Sequence, residues 1–190
     1  MSATRFPLEK YASLELNQVA FPKTGMVVSQ TPLGAAFNKT TGVPCENGMW
    51  VLADKASGTI VPVTNVTDTP IGIVYTAEKA YTNEEAGLKN FCQYEGDYPR
   101  VGILGLGDTV TTNCLQYDNS ETGFTTAEAL ATTLAAYATT PVYVIAVAGS
   151  AVPKLTKTIP QSYAGPIGKV TKYYTVPNGE KGVKYEMVHM

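Results

Sequence analysis

The sequence predicts a mainly β protein: two small related β-barrel or sandwich-like modules, one short helix inserted in the second, and an extended N-terminal arm. Three observations predict it. Only 16% of residues are charged while Thr, Val, Tyr and Gly abound, and branched and aromatic side chains fit a pleated, half-buried surface. The pentapeptide Pro70-Ile71-Gly72-Ile73-Val74 returns as Pro166-Ile167-Gly168-Lys169-Val170, each copy downstream of a Val-Pro step, Val61-Pro62 and Val152-Pro153. Finally, Pro7, Pro22, Pro32 and Pro44 divide the start of the chain into pieces that can pair at sheet edges but not in a sheet's middle. The expected organisation is an arm over 1–44, a first module over 45–106 and a second over 107–190. With 190 residues, 44% of them hydrophobic, the chain can bury a proper core.

In the arm, only short alternations such as Leu14-Glu15-Leu16 and Met26-Val27-Val28 occur. Its apolar residues are too many for a solvated tail and too scattered for a core of their own, so they are expected to pack on the body or on a neighbour. The first module starts near Cys45. Asn47-Gly48 signals a turn, 49–53 reads as an apolar strand, 55–58 as a hairpin turn and 59–66 as the returning strand. The next strand spans 71–76, and Gly72 between two apolar residues marks a bulge or a close approach. A polar excursion over 81–90 precedes strands at 91–94 and 100–104. In the second module 109–116 reads as one strand. A helix follows over about 126–138, with a capping box from Thr125 to Glu128 and an apolar stripe of Ala127, Leu130, Ala131, Leu134 and Tyr137; Pro141 ends it. Strands at 142–147 and 151–158 flank Gly149-Ser150, and a terminal hairpin pairs 170–176 with 183–188 around 177–182.

Several classes of chemistry find no residues to carry them. Fourteen basic and sixteen acidic residues leave a net charge of -2 without a Lys/Arg cluster, which argues against nucleic acid. The N-terminus builds no apolar signal core, and no run of about 18 apolar residues could cross a bilayer, so no membrane partner is expected and synthesis in a cytoplasm is. His189 is the single histidine, so no Ser-His-Asp or Cys-His arrangement is readily built, and no catalytic residue is assigned. Cys45, Cys92 and Cys114 have neither disulfide-framework nor zinc spacing and read as buried, reduced thiols; no metal and no cofactor is expected. The glycines at 102, 105 and 107 read as a strand-to-turn junction, since no P-loop Lys or following helix accompanies them. Asp54, Asp68, Glu95, Asp97 and Asp108 sit beside turn residues, where Asp is locally favoured. Trp50 lies in an apolar strand and reads as core.

The run from Gly48 to Val63, then Pro70-Ile-Gly-Ile-Val, then Arg100-Val-Gly-Ile-Leu-Gly-Leu-Gly-Asp-Thr-Val, resembles the decoration or cement proteins of tailed-bacteriophage heads. The likeness covers roughly residues 45–112. It implies a non-enzymatic virion protein on the outer capsid surface that bridges neighbouring major capsid subunits, itself a homo-oligomer such as a trimer, made in the host bacterial cytoplasm. Its arm would supply the contacts through Phe6, Leu8, Tyr11, Leu14, Leu16 and Phe21, lying along a neighbour or adding a strand to an exposed edge. A head-fibre base or tail-associated adhesive protein is the second reading. A carbohydrate-binding β-domain is the third, and it would require aromatic platforms in a concave groove.

Overall fold

The computed structural model describes residues 3–14, 27–29, 31–68, 70–76, 91–175 and 179–190. It is mainly β, with two open sheets and one short helix among these residues. The smaller sheet holds β2 (Val27–Ser29), β3 (Trp50–Asp54), β4 (Thr59–Pro62), β5 (Gly72–Val74) and β6 (Val101–Ile103), in the order β2-β6-β5-β3-β4. The larger holds β1 (Ala3–Arg5), β7 (Thr109–Thr112), β8 (Gln116–Asp118), β9 (Tyr143–Val147), β10 (Ser150–Thr156), β11 (Ile167–Thr175) and β12 (Lys181–His189), in the order β1-β8-β10-β9-β11-β12-β7. Helix α1 (Ala127–Ala135) lies between β8 and β9 in the chain. Neither sheet closes into a barrel, so of the two module shapes expected the sandwich-like one is found.

A four-stranded unit occurs twice. The order β4-β3-β5-β6 in one sheet matches β10-β9-β11-β12 in the other, with every pair antiparallel. The two pentapeptides fall in register: Gly72 lies between Val51 and Ile103, and Gly168 between Val144 and Met187. Both glycines also do the same job. A Cβ on Gly72 would collide with Val101 Cγ1, and one on Gly168 would lie 2.7 Å from the Tyr185 ring. Val101 and Tyr185 are themselves equivalent, facing Val74 and Val170. The Val-Pro steps are not equivalent. Pro62 faces Val51, but Val144 faces Leu155, because β10 carries a bulge between Ser150 and Lys154 that displaces Pro153 from the matching row.

The units stack in tandem and do not face each other. Val51, Val74 and Val101 of the first unit pack with Leu33, Phe37 and Met49 in one cluster, beneath the arm. Their counterparts Val144, Val170 and Tyr185 pack in a second cluster against Trp50, Ile71 and Ile73, which belong to the opposite face of the first unit. The order through the molecule is therefore arm, first unit, shared core, second unit. Trp50 ties the shared core together, its Nε1–H donating to Tyr185 Oη at 3.0 Å with the rings edge-to-face at 6.1 Å.

The larger sheet is strongly curled. Lying flat, five strand spacings of about 4.8 Å would set β8 and β7 some 24 Å apart. The chain from Thr112 to Gln116 spans at most about 14 Å, so the two ends of the sheet must approach. The arm straddles that seam. Residues 3–5 pair with β8, the Phe6 amide donates to Leu115 O, Leu14 bridges to Thr112, and the Asn113 amide donates to Ser13 O. Further along, β2 pairs with β6, and Leu33 and Gly34 lie along Ile60 of β4. The arm thus supplies a three-residue edge strand to each sheet, β1 and β2, and bridges the opposite edges, β7 and β4, at single points. Bare edges are templates for unwanted pairing, and this covering blunts them.

Helix α1 is capped by Thr126, whose side chain accepts from the Ala129 amide, not by Thr125. Leu130 and Leu134 are its buried residues. The helix ends at Ala135, short of the expected 138, and turns follow before Pro141. Residues 109–116, expected as one strand, are divided between β7 and β8 by the seam. The polar excursion over 81–90 and residues 177–178 of the terminal turn lie outside the described residues.

Candidate docking surface

Two features distinguish the arm's contact with the body. The first is a clip. Arg5 on β1 donates through Nη1 and Nη2 to both carboxylate oxygens of Glu46, each at 3.0 Å, and Glu46 also accepts from the Ala12 amide. The Glu46 side chain is only 4% exposed while that of Arg5 is 36% exposed, so the pair is half withdrawn from water, and its bidentate geometry fixes the arm to the first unit. Arg5 is at the same time part of a strand bonded to the larger sheet, so one residue joins that sheet to the segment leading into β3.

The second is a groove of about 580 Å³ between the arm and α1. Phe6, Pro7 and Leu8 form one wall, Ala127, Leu130 and Ala131 the other, and Tyr173 one end. Small residues at 127 and 131, one helical turn apart, leave the space that larger side chains would fill. Glu9, Glu128, Glu180 and Lys181 rim it. Glu180 accepts from the Glu9 amide at 2.6 Å and from Asn113 Nδ2 at 2.9 Å, which anchors the β12 end of the hairpin to the arm. The Glu128 carboxyl is held below its ordinary value by its own amide and by Thr126, so it stays ionised at the rim.

The residues expected to meet a partner separate into three groups. Phe6 and Leu14 are 3% and 1% exposed in the shared core, so neither side chain is available to a partner while that core stands. This corrects the expectation for those two: curling the larger sheet opens a seam that needs apolar filling, and the arm supplies it. Leu8 lines the groove, and Tyr11 is half-buried. Leu16 and Phe21 lie outside the described residues. Sequence reasoning missed Arg5 and Glu46, which are 41 residues apart and carry no local signal, and it missed Tyr173 and Lys181, which it read only as hairpin residues.

Cys45 and Cys114 are buried with thiols pushed well up by burial, whereas Cys92 is half-buried, so the expectation of three buried thiols holds for two. Trp50 is 1% exposed and offers no face to a sugar ring. Among the described residues no three His, Cys, Asp or Glu side chains gather as a metal site would require. Set against known proteins, the chain matches no family model, no curated protein and no solved structure.

Proposed function

We propose that this protein is a structural component of a tailed-bacteriophage virion, bound to the outer capsid surface and stabilising it by bridging neighbouring major capsid subunits. The observation that carries the reading is the arm: its described stretches pair as β1 and β2 with β8 and β6 and bridge the opposite edges, β7 and β4, through main-chain hydrogen bonds. A body stitched in this way resists being pulled open from its edges, as a protein under the outward load of a filled shell must. The resemblance over residues 45–112 points the same way. The partners in this reading are the major capsid protein and further copies of the chain, as a homotrimer, with neither nucleic acid nor membrane involved.

The Leu8 groove and the outer sheet faces provide contact area in place of a reacting centre. Individually modest patches of this kind hold tightly when many act together on one lattice. The head-fibre or tail-adhesin reading would draw on the exposed ring of Tyr98. The carbohydrate-binding reading loses its main candidate platform with the burial of Trp50.

The test is to add purified protein to capsids assembled without it. Saturable binding with increased resistance to heat or chelator is expected; no binding to any such particle removes the proposal.

A further inference from the structure

We infer that the outer face of the β11–β12 hairpin is a docking surface for an acidic protein surface. The register sets Lys172 directly opposite Lys184, and Lys169 lies nearby on the same face between Tyr143 and Glu186. Like charges placed opposite each other across a strand pair destabilise the sheet, so the arrangement works against the fold unless something else uses it. No carboxylate among the described residues forms an ion pair with any of the three lysines. Lys172 Nζ sits 5.4 Å from the centre of the Tyr174 ring, which holds the ammonium at the surface beside an apolar plane.

The tandem stacking sharpens the point. The equivalent face of the first unit carries Trp50, Ile71 and Ile73 and is buried against the second unit. In the second unit that face is exposed along the hairpin, at Lys169, Lys172 and Glu186, while Ile145 and Thr111 on the flanking strands are buried. Its position equivalent to Ile73 is Lys169, exposed, so a surface that is an apolar interface in one copy is a cationic surface in the other.

An acidic protein suits this face better than nucleic acid. Glu186, opposite Lys169, interrupts the continuous run of positive charge that a phosphate backbone would track, while separate carboxylates can be spaced to pair with Lys172 and Lys184 one by one. The exposed part of the face is the hairpin, about 10 Å across two strands and about 30 Å along nine residues, well under half the area per partner of a stable pairwise interface, so a single contact is weak and screened by salt. The inference rests on the hairpin alone and does not depend on the capsid reading.

Fluorescein-labelled poly-L-glutamate is the probe, titrated with the full chain and followed by anisotropy, with a DNA duplex as a second ligand. Binding at low salt is expected, weakening about tenfold or more toward physiological salt. K172E/K184E is expected to lose about tenfold, and the control K39E/K55E, on turns elsewhere, less than about twofold. Circular dichroism verifies that both variants fold. Absence of binding at low salt, equal losses in the two variants, or tighter binding to the duplex than to polyglutamate would each overturn the inference.

Discussion

Gly72 and Gly168 occupy the same row of two four-stranded units, and each surrenders its side-chain space to the same position on the next strand. One residue later the copies diverge. Ile73 is fully buried in the shared core, and Lys169 is exposed. The difference teaches that the repeat conserves backbone approach, which is a local requirement, while the facing side chains follow the place of each unit in the stack. The first unit is covered on one face by the arm and on the other by its twin; on the outer face of the second, Ile145, Thr156 and Thr111 are buried while Lys169, Lys172 and Glu186 of the hairpin are exposed.

The largest effect should come from forcing the second letter set onto the first unit. Ile73→Lys puts an ammonium into the shared core with no partner, and a loss of about 4 kcal/mol or more, enough to unfold a marginal domain, is expected by denaturant titration. Glu46→Ala comes next. It leaves the half-exposed Arg5 guanidinium to water and the buried Ala12 amide without its acceptor, and should cost about 1–3 kcal/mol with faster proteolysis near the N-terminus. If the arm is dispensable to the fold, this variant will melt like the parent.

Gly168→Ala should cost about 1–3 kcal/mol, because the new methyl meets the Tyr185 ring, which Trp50 holds in place. Gly72→Ala should do the same against Val101, and Val101→Ala should rescue it. Rescue in one unit without a comparable clash in the other would separate the two copies.

A smaller, pH-dependent effect is expected at Tyr163, just ahead of the second pentapeptide. Burial pushes its phenol up to about 12, against the opposing pull of the Ala146 amide that donates to it. The folded protein thus favours the neutral phenol. Its stabilising contribution is complete below the ordinary value of 10.0 and is lost as pH rises through about 12. Tyr163→Phe should flatten the stability profile in that window, and absorbance of the parent near 295 nm should show a late-titrating tyrosine. Smallest of all, Lys169→Ile should change stability by no more than about 0.5 kcal/mol, although it makes the pentapeptides identical. A large gain would mean that this face is already covered.

Much of the architecture was legible because it is written locally. The two hairpins, the helix with its Leu130 and Leu134, the buried Trp50 and the repeated Pro-Ile-Gly step all follow from turn residues and short periodicities. The division of residues 109–116 was not legible: Thr111, Thr112, Asn113, Cys114 and Leu115 are all buried, so no alternation marks where the chain crosses the seam. Nor was the non-equivalence of the Val-Pro steps, which depends on a bulge in β10. The candidate site was least legible. The arm was recognisable as extended and apolar, but whether Phe6 and Leu14 face a partner or the protein's own core depends on sheet curvature and on a clip between residues far apart in sequence.

Native-state hydrogen exchange on the full chain tests the central claim most directly, that the arm is an integral edge cover of this body. Amides bonded between arm and sheets, namely Phe6, Gly34, Ile60 and Asn113, should be protected as deeply as Val170 in the second unit. Rapid exchange at these four positions, with the second unit still protected, would contradict the account and return Phe6 and Leu14 to the surface available for a partner.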